Sequence, residues 1–122
     1  MVTPKRVLVV DDVPHVAQAI EALLASFGHQ VETAPGGREA LAKFKLGKYD
    51  LIITDYAMPV MTGAELARTL RGQAPQQRIL LVTAFAFSLA AKESQPVPVN
   101  MILQKPFSPH ELQQAMAALF AN

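Results

Sequence analysis

No cysteine occurs among the 122 residues. That excludes disulfides, thiolate metal sites and thiol nucleophiles. Charge is nearly balanced, at +1. The chain therefore has no general pull toward nucleic acid or an anionic membrane surface. Basic runs, acidic tails and low-complexity stretches are missing, as is a DNA-binding helix pair. Direct nucleic-acid binding is not expected. No apolar stretch approaches the roughly 20 residues that a membrane helix needs. Met1-Val2-Thr3-Pro4-Lys5-Arg6 leads straight into a strand-like run, without the pattern of a signal peptide. The expected location is the cytoplasm. Hydrophobic residues make up 51% of the chain, enough for the core of one domain across 1–122.

Those apolar residues alternate between two periods. Residues 6–11 are apolar and β-branched, as in a central strand covered on both faces. Pro14 fits a first helical turn, and Val16, Ile20, Leu23, Leu24 and Phe27 follow at helical spacing to a stop at Gly28. Residues 30–34 alternate like an edge strand. Ala40, Leu41 and Phe44 mark a second helix, ended by Gly47. A third strand is expected at 50–55 and a fourth at 78–83. Thr62-Gly63-Ala64-Glu65 and Ser108-Pro109-His110-Glu111 have capping-box spacing and open two further helices. Residues 86–94 can form a short helix, which Pro96 and Pro98 would end. Right-handed crossovers turn this alternation into a doubly wound α/β sheet with helices on both faces.

In such a sheet, ligands collect outside the carboxyl ends of the strands. Val7-Leu8-Val9-Val10 runs into Asp11-Asp12, and Leu51-Ile52-Ile53-Thr54 into Asp55. Ile79-Leu80-Leu81-Val82 runs into Thr83, and Met101-Ile102-Leu103-Gln104 into Lys105-Pro106. Three carboxylates, a hydroxyl and an ammonium thus converge. That set suits a hard divalent cation and a phosphoryl group. Singly, each residue has an ordinary reading: a helix cap for an Asp, β-propensity for Thr83, a solvated charge for Lys105. Jointly, at the ends of four strands, they point to one shared site. His15, His29 and His110 lack ligand spacing and read as surface or helix-start residues. Met58, Met61, Met101 and Met116 read as packing residues.

Five segments together resemble the receiver domain of two-component response regulators: the run into Asp11-Asp12, the run into Asp55, Met58-Pro59-Val-Met-Thr-Gly63, Leu-Leu-Val-Thr83-Ala84 and Lys105-Pro106-Phe107. The resemblance implies a flavodoxin-like five-stranded parallel sheet in the order 2-1-3-4-5. It makes Asp55 the phosphoacceptor, with Thr83 and Lys105 contacting phosphoryl oxygens. Ala84 leaves room for the phosphodonor. Asp12, Asp55 and the backbone carbonyl of Ala57 would ligate Mg²⁺, and Asp11 would act mainly through a water on the metal. Close carboxylates should raise at least one pKa when no metal is bound. Pro106 would follow a cis peptide, although trans is the commoner state of such bonds. Implied partners are a sensor histidine kinase or a histidine phosphotransfer protein, and a downstream protein or fused output domain.

Two departures from the family pattern stand out. Ile102 replaces the aromatic residue that usually swings with the Thr, and Pro98-Val99 stands where Gly-Ala is usual. Phe85 and Phe87 flank the same face as Ile102. Buried, they are core; exposed, they form an apolar patch for a partner or a second copy in a homodimer. The chain reads either as a stand-alone switch or as the receiver piece of a hybrid kinase or transcription factor. An aspartyl-intermediate hydrolase would carry a second Asp two residues after its nucleophile on the first strand, whereas Asp11 and Asp12 are adjacent. A flavodoxin needs a hydroxyl- and Gly-rich loop where Asp11-Asp12-Val13-Pro14 stands. Ala57 cannot orient an attacking water, and Phe85 would shield its path. Once formed, an aspartyl phosphate should therefore persist for many minutes or longer in the purified protein; decay within seconds, followed by intact mass, would contradict this.

Overall fold

The computed structural model describes residues 2–121, so the ends of the expected 1–122 domain, Met1 and Asn122, lie outside the described residues. The elements run β1 (Arg6–Val10), α1 (Pro14–Ser26), β2 (Gln30–Ala34), α2 (Gly37–Leu46), β3 (Leu51–Asp55), α3 (Gly63–Gln73), β4 (Arg78–Thr83), α4 (Leu89–Lys92), β5 (Met101–Gln104) and α5 (Pro109–Leu119). All strand pairings are parallel, in the order β2-β1-β3-β4-β5. This is the expected flavodoxin-like order.

Strand period decides which face each residue serves. Val7, Val9, Ile53, Leu80 and Val82 pack with Ala17, Ile20 and Leu24 of α1 and Leu112, Met116 and Leu119 of α5. Leu8, Val10, Ile52 and Ile79 point the other way, onto Ala40 of α2 and Leu66, Ala67 and Leu70 of α3. The near-continuous apolar runs of β1, β3 and β4 follow from this double coverage. Met58 and Met116 are buried, and Met61 and Met101 pack against the two clusters, as expected.

Both capping boxes form. Thr62 and Glu65 exchange hydrogen bonds at the start of α3, as do Ser108 and Glu111 at the start of α5. Gly28 ends the first crossover with φ +95°, a conformation that side chains resist. The weakly patterned stretch resolves into a 3₁₀ turn, Ala86–Ser88, and the single turn of α4. The proline-rich segment after it is held by Arg71, whose guanidinium donates to the carbonyls of Pro75, Gln77 and Pro98 and to Asn100 Oδ1.

One expectation is corrected. His29 is neither on the surface nor at a helix start but buried, its Nδ1 accepting the Lys5 backbone N–H at 3.0 Å. Burial, then the charge of Lys5, holds its pKa below the ordinary imidazole value.

Gly63 explains part of the Met-Pro…Thr-Gly motif. Its N–H donates to the Tyr56 carbonyl at 2.8 Å. A Cβ there would overlap the Asp55 carbonyl oxygen and come within 2.8 Å of Leu81 Cδ1. Gly63→Ala should therefore cost roughly 1–3 kcal/mol through overpacking. Gly72→Ala, in the same helix with open space around its Cβ, should instead gain about 0.4–1 kcal/mol. Urea unfolding of the two variants checks both signs.

Candidate functional site

Three strand ends meet at one charged cluster. Asp11 and Asp12 follow β1, Asp55 closes β3, and each offers a carboxylate oxygen within 4.8 Å of the others. Asp11 is buried and each of its carboxylate oxygens has a partner: Oδ1 accepts the Val13 N–H at 2.9 Å and Oδ2 faces Lys105 Nζ at 3.3 Å. Lys105, just past β5, also donates to Asp55 Oδ1 at 2.9 Å. Its peptide bond to Pro106 is cis.

Burial is the main cause that raises the Asp55 pKa above its ordinary value. The hydrogen bond and charge of Lys105 pull it down, and Asp11 and Asp12 push it up by less. The rise expected from mutual repulsion is therefore present, with desolvation as its larger source. Burial also pulls the Lys105 pKa down, but Asp55 and then Asp11 more than offset this, and its net shift is upward. Lys105 is thus a fixed cation, and Asp55 the carboxylate most exposed to conflict.

Thr83 ends β4 one register position beyond the partner of Asp55. It is buried, and its Oγ1 accepts the Phe85 N–H at 3.0 Å. Ala84 is exposed beside it, and Ala57 is exposed two residues past Asp55. Asp11, Asp12, Asp55 and Lys105 are thus brought together, and Thr83 stands at the neighbouring strand end. His15 and Lys105 both line a mostly apolar groove of about 510 Å³ between α1 and the segment Lys105–Phe107. Phe85, Phe87 and Ile102 are exposed, which rules out the core reading for them. The Lys92 ammonium lies over the Phe85 ring at 4.7 Å.

Two features escaped sequence reasoning. Tyr56, the residue after Asp55, donates its hydroxyl to Glu93 Oε2 at 2.5 Å, while Arg68 of α3 donates to Oε1 at 2.9 Å. Glu93 caps the weakly patterned α4, and no spacing rule linked it to Tyr56. The second feature is Gln104, whose carboxamide bonds only to backbone groups. Its place on the same strand face as Ile102 was the one available signal.

Val60, in the loop after Asp55, has φ +72° and is exposed. A β-branched residue in this left-handed region is strained.

This fold and this cluster of strand-end residues define a receiver. The response regulator receiver domain family matches residues 7–117. The chain is 44% identical over 91 residues to a gliding motility regulatory protein of Myxococcus xanthus, covering 74% of this chain and 11% of that protein. It is 33% identical over 115 residues to the alkaline phosphatase synthesis transcriptional regulatory protein PhoP of Bacillus subtilis, covering 94% of this chain and 48% of that one. It thus spans about half or less of these curated relatives. Among solved structures, the response regulator TrrA of Thermotoga maritima in complex with Mg²⁺-BeF superposes with a TM-score of 0.85 at 34% identity, covering 95% of this chain and 99% of that one. The chain belongs to the receiver domains of two-component response regulators. Such domains generally act as phosphoacceptor switches and not as enzymes in the usual sense. Among the described residues, no helix is long and apolar enough to cross a membrane.

The Tyr56–Glu93 bond lends itself to a direct test. The hydrogen bonds from Tyr56 and then Arg68 lower the Glu93 pKa, and the bond to Glu93 raises that of Tyr56. A lowered carboxylate pKa stabilises the fold above the unfolded value, and that stability is lost as pH falls through the folded one. Tyr56→Phe should therefore cost roughly 0.5–1.5 kcal/mol at neutral pH. The deficit should shrink as Glu93 protonates in acid, measured by urea unfolding across pH.

Proposed function

We propose that Asp55 accepts a phosphoryl group in a Mg²⁺-dependent reaction, from a histidine kinase, a histidine phosphotransfer protein or a small acyl phosphate. The observation that carries this reading is the sharing of one ammonium, Lys105, by Asp55 and Asp11 within a cluster of three carboxylates. One cation against three anions leaves excess negative charge, and all the donors are hard oxygens, the kind Mg²⁺ takes. Asp12, Asp55 and the backbone carbonyl of Ala57 would hold the ion directly, and Asp11 mainly through a water on it. When bound, it supplies positive charge that an incoming anionic phosphoryl group needs.

The chain's own residues do the rest. An Asp55 carboxylate oxygen attacks phosphorus, and a new O–P bond forms. The donor's P–N bond breaks, or its P–O bond for an acyl phosphate, and the electron pair leaves with the donor. Lys105 turns from the carboxylate to a phosphoryl oxygen as a compact point charge. The Thr83 hydroxyl accepts from Phe85 N–H, so its own proton remains available to a phosphoryl oxygen. The groove beside Lys105 offers a phosphodonor protein an apolar seat next to the acceptor. Phe85, Phe87 and Ile102 offer a second surface, for a downstream protein, a fused output domain or a second copy. On this reading the expected setting is the cytoplasm, and no direct nucleic-acid binding by this chain is expected.

Incubation with Mg²⁺ and acetyl phosphate, read by intact mass, tests it. A phosphoryl adduct is expected on the wild type and not on Asp55→Asn. Mg²⁺ alone should raise the melting temperature of the wild type, because it binds the folded site and relieves carboxylate repulsion. Folded wild-type protein that takes no phosphoryl group, even from a histidine kinase donor, and shows no Mg²⁺ shift would overturn the reading.

A further inference from the structure

Gln104 is the last residue of β5, in register with Thr83 of β4. The Lys105 N–H donates to the Thr83 carbonyl at 2.8 Å, closing the ladder where the two strands end. Beyond that point the chains diverge into separate loops. One carries Thr83 and Ala84, and the other carries Lys105. The Gln104 carboxamide spans the gap. Its Oε1 accepts the Ala86 N–H at 3.0 Å, and its Nε2 donates to the carbonyls of Ala84 and Lys105, each at 2.8 Å. A primary amide has two donors and one acceptor oxygen. All three functions are engaged here, and every partner is backbone. The 83–86 turn is further closed by Phe85 N–H on Thr83 Oγ1. One half-buried side chain thus sets the spacing between the segment that aims the Thr83 hydroxyl and the segment that aims the Lys105 ammonium.

We propose that Gln104 is a positioning residue for the phosphoryl site, holding the Thr83 and Lys105 segments at the separation at which both side chains can meet one phosphoryl group on Asp55. The inference rests on the phosphoacceptor reading. Two groups on separate loops must converge on oxygens of a single small group, and a displacement of about 1 Å away from the chemistry can cost a hundredfold. The carboxylate cluster lies on other strand ends, β1 and β3, so Gln104 does not touch the groups that would hold a metal. The ordinary alternative is a loop staple that affects stability alone.

The two roles separate in binding measurements on the whole domain. The probes are Mg²⁺ alone, and beryllofluoride at saturating Mg²⁺ as a phosphoryl mimic. Gln104→Ala should leave Mg²⁺ affinity within about twofold and weaken beryllofluoride binding about tenfold. Gln104→Glu keeps the size of the side chain and the acceptor for Ala86, but sets a carboxylate oxygen against two carbonyls. It should weaken beryllofluoride binding at least as much as Ala does, whereas a packing role predicts near wild-type behaviour. Should Gln104→Ala not fold, the Glu variant carries the comparison. Beryllofluoride affinity unchanged in the variants, or Mg²⁺ and beryllofluoride weakened equally, would overturn the proposal and leave the phosphoacceptor reading intact. A wild type that binds Mg²⁺ but not beryllofluoride would overturn that reading, and the proposal with it.

Discussion

The ammonium of Lys105 is the group on which the charged end of this sheet depends. It joins residues 94 and 50 positions away in sequence, Asp11 and Asp55. The strand order makes that reach necessary. β5 lies at the sheet edge beside β4, while Asp55 and Asp11 end β3 and β1, further in. Only a long side chain crosses the end of β4 to them. Asp55, partly withdrawn from water, would otherwise face Asp11 and Asp12 with no fixed counter-charge nearby. The fold thus places an anion where it is costly and then supplies a cation from the edge strand at the same end of the sheet.

The consequence for Asp55 is a balance between opposing influences. Burial raises its proton affinity, and Lys105 lowers it. A carboxylate made more basic than usual, beside a cation that favours its ionised form, suits nucleophilic attack. The surroundings of Asp55 are built for close fit. Gly63 lets α3 start against the Asp55 carbonyl, Thr54 Oγ1 donates to that carbonyl at 2.9 Å, and Val60 accepts a strained backbone in the same loop. Strain and close approach gather on the segment where position matters most.

Much of this was legible in the sequence because local and global signals agreed. Apolar runs of strand length gave the sheet, and the Thr62–Glu65 and Ser108–Glu111 boxes gave two helix starts to the residue. The strand-end acids and Lys105 could be gathered because strand ends in a parallel sheet share one edge. His29 was misread because burial of an isolated polar residue depends on one backbone partner, the Lys5 N–H, that no spacing rule reveals. Glu93 sits after a single helical turn in a stretch with little periodicity, and its meeting with Tyr56 and Arg68 depends on how that stretch folds back over α3. Gln104 looked like an ordinary strand residue, since its partners are carbonyls and an N–H that every residue carries. Pro98-Val99, which departs from the family pattern, is accommodated by Arg71 on Pro98 and by Val99 against the core.

The chain has no tryptophan and two tyrosines, and their placement gives the molecule an optical property. Tyr49 is buried just before β3 begins, at the end of the sheet away from the acids. Tyr56 lies one residue past Asp55, with its phenol on a carboxylate. A phenol bound to a carboxylate loses emission, because its proton moves toward the acceptor on excitation. Tyr49 also faces a carboxylate, Glu32, but at the end of the sheet away from Asp55, so its share of the near-ultraviolet fluorescence is a background and the share quenched at the site is that of Tyr56. Any motion at the Asp55 strand end that parts Tyr56 from Glu93 brightens the protein, so the site carries its own unlabelled reporter.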